Sequence, residues 1–258
     1  MTFAVAAQAY DRYVGRYGAD LGLALVRAAG VHPGQRVLDV GSGPGALTAV
    51  LVELTGAENV AAVDPSEPFL AALRERLPGV DARLAAAEEL PFEDGEFDAA
   101  LAQLVVNFMP DPEAGLGEMR RVTRAGGAVA ACVWDYPGEM TMLRAFWEAA
   151  AELEPELVAG RDERTAMPFD EEGELADLFR RVGLVDVEEG ALLVSAGYES
   201  FDDLWEPFTS GVGPAGAYVA SLDEQGRRAL REEFERRLDP PEGSFRLSAR
   251  AWYAVGLA

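Results

Sequence analysis

Val37-Leu38-Asp39-Val40-Gly41-Ser42-Gly43-Pro44-Gly45 is a short apolar run that ends in three glycines spaced two apart. Arg36 to Val40 is too short for a helix, carries β-branched residues and is closed by glycine, which suits a buried parallel strand. The chain must then turn sharply. Gly41, Gly43 and Gly45 accept positive φ and, having no Cβ, let a ligand lie against the backbone amides. Ala46 to Leu54 follows as a helix packed on the sheet, stopping near Gly56, with its N-terminus aimed at the ligand. A second apolar run, Val60-Ala61-Ala62-Val63, delivers Asp64 to the same crevice nineteen residues after Gly45. A carboxylate there can accept hydrogen bonds from both hydroxyls of a ribose. Glycines so spaced also suit a purely structural turn; an acid at the end of its own strand makes the pair a nucleoside-cofactor cradle.

The segment 37–45 resembles the first motif of class I S-adenosylmethionine-dependent methyltransferases, an acid followed by Gly-x-Gly-x-Gly. NAD-binding folds match less well, because their fingerprint is G-x-G-x-x-G and here the third glycine comes one residue early. Asp39, two residues ahead of the first glycine, favours the cationic amino and sulfonium groups of S-adenosylmethionine and opposes a pyrophosphate. Val63-Asp64-Pro65-Ser66-Glu67-Pro68-Phe69-Leu70 resembles the second methyltransferase motif, in which an apolar residue at the place of Phe69 lies against the adenine. Ala85-Ala86-Ala87-Glu88-Glu89-Leu90-Pro91-Phe92, followed by Phe97-Asp98, resembles the third, in the group that includes the ubiquinone and menaquinone biosynthesis enzymes. That group often has Asp where Ala86 stands, to accept from the adenine amino group. Alanine cannot, so either the backbone around Ala86 and Ala87 does so or adenine recognition is weaker. Arg120 to Gly127 resembles the helix-to-strand corner before the fifth strand, with Ala125 where proline is usual. The resemblance spans roughly residues 10 to 135 and implies S-adenosylmethionine as cofactor, S-adenosylhomocysteine as product, and Ser42 and Pro65 among the binding residues.

The 258 residues fit one elaborated domain or a domain with a sizeable insertion, and 49% apolar residues suffice for a full core. A net charge of −23 argues against a nucleic-acid partner: a duplex would be repelled over most of the surface and release few counterions. Solubility, or a source organism with an acidic proteome, accounts for that charge better than attraction of cationic substrates. The longest apolar runs are strand-sized, so none spans a bilayer; Met1 to Asp11 lacks the basic start of a secretion signal. We expect a cytoplasmic protein acting on a small molecule, with no membrane partner and a homodimer left open. The single cysteine, Cys132, lies in the apolar run Ala128 to Trp134, where a thiol is a small core residue. With one cysteine and one histidine, no metal cluster is visible.

Beyond Asp64 the pattern keeps alternating. A helix over 69–77, strands over 81–84 and 97–103, a helix over 112–122 and a strand over 128–134 complete five βα steps. Such alternation predicts an α/β fold, a doubly wound, mostly parallel sheet with helices on both faces. Ligands bind at the carboxyl ends of its strands, where Gly41, Asp64, Glu88 and Gln103 fall. Helices are expected over 140–153, 174–182, 201–208 and 222–238. The resemblance implies seven strands, the sixth and seventh an antiparallel edge hairpin matched by 185–195 and 244–255. The organisation is then an N-terminal helix (1–30), a cofactor-binding core (31–135), insertions at 136–170 and 197–243, and the rest of the core sheet at 171–196 and 244–258. We read the N-terminal helix and the insertions as a helical lid. Trp134, Phe146, Trp147, Trp205 and Phe208 suit an apolar or aromatic acceptor enclosed away from water; each ring singly is better read as the insertion's own core, with at least one expected to line the pocket. Tyr10, Tyr13 and Tyr17 recur at helical spacing with Arg16 among them. Many methyltransferases of this class carry a tyrosine there that closes over the methionine end of the cofactor. The resemblance makes Tyr13 and Arg16 the candidates, with surface packing the other use for them.

Methyl transfer from a sulfonium needs alignment, exclusion of water and a neutral nucleophile more than strong acid–base chemistry. A general base would help an oxygen acceptor. His32, the lone histidine, stands in the turn before the first strand, away from the ligand end. Asp135 and Glu148 are candidate bases with nothing to single out either, so the catalytic residue stays unassigned. Two other functions remain open: a nicotinamide-dependent oxidoreductase, opposed by the early third glycine and Asp39, and a non-catalytic S-adenosylmethionine or S-adenosylhomocysteine binding protein, favoured by Ala86 and the missing base.

Overall fold

The computed structural model describes residues 12–158, 160–162, 167–211 and 213–258. Its main elements in chain order are α1 (Gly18–Ala28), β1 (Val37–Val40), α2 (Ala46–Thr55), β2 (Val60–Asp64), α3 (Glu67–Arg76), β3 (Asp81–Leu84), β4 (Phe97–Gln103), α4 (Pro112–Val122), β5 (Thr123–Trp134), α5 (Thr141–Leu153), α6 (Glu174–Arg181), β6 (Val185–Tyr198), α7 (Phe201–Trp205), α8 (Gly213–Ser221), α9 (Glu224–Leu238) and β7 (Phe245–Leu257). One seven-stranded sheet has the order β3-β2-β1-β4-β5-β7-β6. Strands β1 to β5 pair in parallel, and β7 enters antiparallel to β5 with Ala128 opposite Leu257 and Trp134 opposite Ala251. The chain winds outward from β1 to β3 and then returns to β4, so the winding direction reverses between β1 and β4. Beside the carboxyl ends of those two strands an open α/β sheet makes its crevice.

The structure divides into two compact units. One comprises Gly18–Trp134, Pro168–Leu192 and Ala251–Ala258. Its strands are lined with small and β-branched residues: Val40, Val63, Ala100, Ala102, Ala131 and Val133 pack in one core with Leu116, Met119 and Phe179 from the helices. Alanine on the strands lets helices approach closely, and every residue of β1 and β2 is buried. Strand β5 starts five residues before the expected Ala128. Thr123 pairs with Phe97, the ladder then shifts, and it resumes at Ala99–Ala128. The Gly126-Gly127 corner is absorbed as an irregularity within the strand, with Gly126 at φ +72°.

The other unit comprises the described residues of Met1–Tyr17, Asp135–Met167 and Leu193–Arg250. Tyr10 lies outside the described residues. Its core is aromatic. Phe146 on α5 stacks on Phe208 at 4.6 Å between centroids and meets Phe234 of α9 edge-on at 5.7 Å. Tyr13 meets Phe208 edge-on at 5.1 Å. Phe146, Trp147 and Phe208 are fully buried, which gives these rings the part of the insertion's own core. Two helical boundaries differ from expectation. α8 occupies a Gly-Pro-Ala-Gly stretch outside the expected helices, Pro214 being tolerated because the first turn needs no N–H donor. The helix expected over 201–208 ends as α7 at Trp205 and tightens into a 3-10 turn, Glu206–Ser210, where Pro207 removes a donor.

Candidate functional site

The site is built at the carboxyl end of β1. Gly41 and Ser42 both donate their N–H to the Val63 carbonyl, at 2.8 and 2.9 Å, tying the turn to β2. Gly45 donates to Ser42 O at 3.0 Å and closes the turn into α2. The three glycines sit at φ +70°, +53° and +99°. A Cβ on Gly41 would lie 2.5 Å from both methyls of Val105, and one on Gly45 3.2 Å from Leu73 Cγ. A Cβ on Gly43 would meet nothing within 4 Å. Packing therefore requires the first glycine and crowds the third, whereas the middle one faces open space.

Two carboxyls flank this turn. Asp64 accepts from Gly43 N–H through Oδ2 and from Ser66 N–H through Oδ1, each at 2.8 Å. It thereby joins the glycine turn to the loop leading into α3. Burial pushes its carboxyl up, against the lowering effect of the two N–H donors. A carboxylate has about four acceptor sites, so two remain for ligand hydroxyls. Asp39 is 1% exposed, and its Oδ2 accepts from the Thr48 hydroxyl at 2.6 Å. Burial pushes its carboxyl up to about 7, with nearby Asp64 adding to the rise and Thr48 opposing it. Asp39 Oδ1 and Ser42 Oγ are fully buried without a hydrogen-bond partner among the described residues. Orphaned buried polar atoms are costly unless something completes them.

The remaining expected residues fall into four groups. Ala86 and Ala87 follow β3, and the Ala85 N–H donates to Asp64 O, which places this segment beside the second carboxyl. α4 fixes what comes next: Leu90 N–H donates to Glu118, and Arg121 donates to the carbonyls of Leu90 and Phe92. Glu88 accepts from Asp111 N–H at the start of α4, a positioning bond. Pro65 is exposed and Phe69 is buried on α3. Gln103 ends β4 and donates through Nε2 to Gly18 O at 3.1 Å; its Oε1 is buried without a partner. Gly18 and Gly22 keep α1 close to that amide, since a Cβ on Gly22 would stand 3.1 Å from Gln103 Oε1. Tyr13 and Arg16 belong to the other unit. There the Arg16 guanidinium grips Asp203 through Nη2 and Nη1, at 2.5 and 3.0 Å, and lies 4.9 Å from the Tyr198 ring centroid.

Neither candidate base keeps a free role. Asp135 accepts from Gly138 and Glu139 N–H and from Arg250 Nε and Nη2, the last two at 2.7 and 2.6 Å. Four donors hold it as a structural carboxylate. Glu148 stands 3.5 Å from Arg237. His32 precedes β1, at the strand end away from the glycine turn. Three residues escaped sequence reasoning. Leu104 follows β4 with φ +62°, a conformation that bulky residues rarely adopt, and Val105 then covers Gly41. Thr48 carried a usable signal, as the one hydroxyl in the apolar start Ala46-Leu47-Thr48-Ala49-Val50 of α2.

Residues 38–131 match the methyltransferase domain family, and that stretch runs from β1 into β5, taking in both carboxyls. That stretch carries a methyltransferase domain. An uncharacterized methyltransferase of Mycobacterium tuberculosis is 38% identical over 135 residues, 52% of this chain and 52% of the relative. A demethylmenaquinone methyltransferase of Renibacterium salmoninarum is 34% identical over 113 residues, 44% of this chain and 47% of the relative. The chain thus spans about half the length of the curated relatives it matches. Among solved structures, phosphoethanolamine N-methyltransferase 2 of Haemonchus contortus, in complex with S-adenosyl-L-methionine, superposes with a TM-score of 0.59 at 17% identity. That match covers 97% of this chain and 56% of the other. The [4+2]-cyclase SpnF gives 0.55 at 18% identity, covering 93% and 80%. These likenesses confirm the methyltransferase fold and lend no support to a nicotinamide-dependent oxidoreductase. Among the described residues no helix is long and apolar enough to cross a membrane, and no group of three or more His, Cys, Asp or Glu could hold a metal ion.

Proposed function

We propose that the protein transfers the methyl group of S-adenosylmethionine to a small apolar or aromatic acceptor. The observation that carries this is the pair of orphaned polar atoms, Asp39 Oδ1 and Ser42 Oγ, beside the open space at Gly43 and the half-used Asp64 carboxyl. A nucleoside with a cationic tail fits such a set. Asp64 would take the ribose hydroxyls, Asp39 would face the amino and sulfonium end, and the backbone of Gly41 to Gly45 with Ser42 would hold the remainder. Ala86 and Ala87 would meet the adenine edge through backbone groups, with Phe69 beside it. Bound there, S-adenosylmethionine supplies a methyl group on a sulfonium that departs as a neutral thioether.

The protein's part is alignment and exclusion of water. With Asp135 saturated and His32 at the far strand end, proximity supplies most of the rate, which suits a carbon, nitrogen or already acidic oxygen acceptor. We assign acceptor choice to the insertions and the N-terminal helix. Calorimetric titration with S-adenosylmethionine, S-adenosylhomocysteine and NAD tests the cofactor: heat with the first two and none with NAD is expected, and the reverse would sink the proposal. Asp64→Ala should weaken S-adenosylmethionine binding by about 1–3 kcal/mol if charge-assisted bonds hold the ribose. A second function, binding without turnover, is favoured by the missing base and by Ala86; the cyclase likeness shows that the fold alone does not settle the reaction. Demethylmenaquinone, named for one relative, is the first probe acceptor. S-adenosylhomocysteine release that depends on an added acceptor would exclude binding without turnover.

A further inference from the structure

We infer that Asp39, positioned by Thr48, is a proton-releasing cation receptor: a cationic ligand entering the glycine turn displaces one proton from the Asp39–Asp64 pair into the solvent. The inference rests on the assignment of this turn to S-adenosylmethionine. β2 sets Ala62 opposite it and β4 sets Leu101, so neither neighbouring strand places a charge at its level. α2 contributes the Thr48 hydroxyl, on Oδ2. The charged group acting on Asp39 is Asp64, two residues beyond Ala62 on β2 and also buried. The groups acting on Asp39 and Asp64 include no arginine, and Oδ1 of Asp39 is buried with no partner among the described residues.

Two buried carboxyls without a cation cannot both stay ionised at modest cost. In the empty site Asp39 retains its proton through much of the neutral range, consistent with a carboxyl pushed up to about 7 by burial. A ligand cation within a few ångströms favours the carboxylate and draws the value down again. The Asp39 O–H bond then breaks with its electron pair left on oxygen, the proton passes to buffer, and the carboxylate pairs with the ligand. Thr48 serves as a positioning residue. Its hydroxyl fixes the carboxyl rotation by engaging Oδ2, leaves Oδ1 as the receptive atom, and stabilises the anion once formed. Affinity for a cationic donor should therefore rise with pH until Asp39 is ionised in the free protein.

Isothermal titration of the full chain with S-adenosylmethionine, at pH 6, 7 and 8 and in two buffers of very different ionisation enthalpy, counts the protons released. With Asp39 at about 7 in the free protein and ionised in the complex, release should fall from about 0.9 proton at pH 6 to about 0.5 at pH 7 and about 0.1 at pH 8. Asp39→Asn should release none. Thr48→Val removes the stabilising hydroxyl, so its release at pH 8 should exceed that of the wild type, while Thr48→Ser should restore the wild-type profile. A hydroxyl that merely ties helix to strand would change affinity without moving this profile. Buffer-independent heats at pH 6 and 7, or undiminished release from a folded Asp39→Asn protein, would overturn the inference while leaving the cofactor assignment intact. Absence of heat with both S-adenosylmethionine and S-adenosylhomocysteine would overturn the two together.

Discussion

Replacing Asp39 by asparagine should make the stability advantage of the variant over the wild type grow with pH. The Asp39 carboxyl moves from an ordinary 3.8 to about 7 on folding, chiefly through burial. A pKa raised by folding means that the native state holds its proton more tightly than the unfolded chain. Below pH 4 both states are protonated and the shift has no effect. Between pH 4 and 7 the unfolded chain loses its proton first, so native stability falls with rising pH; above 7 the full penalty is present. At about 1.4 kcal/mol per pKa unit this gives roughly 4 kcal/mol as an upper figure. Asparagine keeps an acceptor for Thr48 and carries no charge, but sets an amide donor where Oδ1 lacked a partner, a pH-independent cost of about 1–3 kcal/mol. The slope, not the offset, is the readout. Carboxyls that folding lowers, such as Asp98 beside Arg124 and Asp203 beside Arg16, slope the other way, and subtracting the wild-type curve removes them. Urea unfolding of ligand-free protein from pH 4.5 to 8 measures the difference. A flat difference across that range would refute the account of Asp39 as a buried acid that is neutral in the empty site.

The first two glycines should fail differently: Gly41→Ala meets Val105 at 2.5 Å and should lower the melting temperature sharply, whereas Gly43→Ala, with open space at its Cβ, should lose only ~1–2 kcal/mol of stability and most S-adenosylmethionine binding. Thermal melts and titration calorimetry on both variants separate the effects. Asp135→Asn should destabilise by about 3 kcal/mol in urea unfolding, because it strips the Arg250 guanidinium of its buried partner; unchanged stability with lost turnover would instead make Asp135 a base. Phe146→Ala should cost ~3–5 kcal/mol by opening the aromatic core around Phe208 and Phe234. A normal melt for that variant would remove the ring from the core.

What was legible in the sequence was what the backbone alone dictates. A four-residue apolar strand that must turn at once needs glycine at positive φ, and an acid closing the next strand must stand at the same sheet edge, so β1, β2, Asp39 and Asp64 could be placed without knowing any distant contact. The order of the alternating elements followed for the same reason. The illegible parts depend on residues far apart in sequence. Val105 is what forbids a side chain at Gly41, across more than sixty residues, and only a strained Leu104 puts it there. α8 hides behind Gly213 and Pro214 because tertiary packing outweighs poor local propensity. Arg16 looks like a ligand-facing cation until Asp203 is found gripping it.

Asp39 shows why even a correctly placed residue can be misjudged chemically. Its position in the motif suggests a standing negative charge that attracts a cationic donor. The structure gives it a hydroxyl, a second buried carboxyl nearby and one orphaned oxygen. Those surroundings disfavour the charge until a cation arrives, so selectivity against a pyrophosphate ligand comes from two sources. A phosphate would face Asp64 at close quarters, and it would have no means of ionising Asp39 to complete the orphaned oxygen. On the proposed assignment a cation gains on both counts, and a preference for a sulfonium donor would rest on the burial of β1 as much as on the identity of its acid.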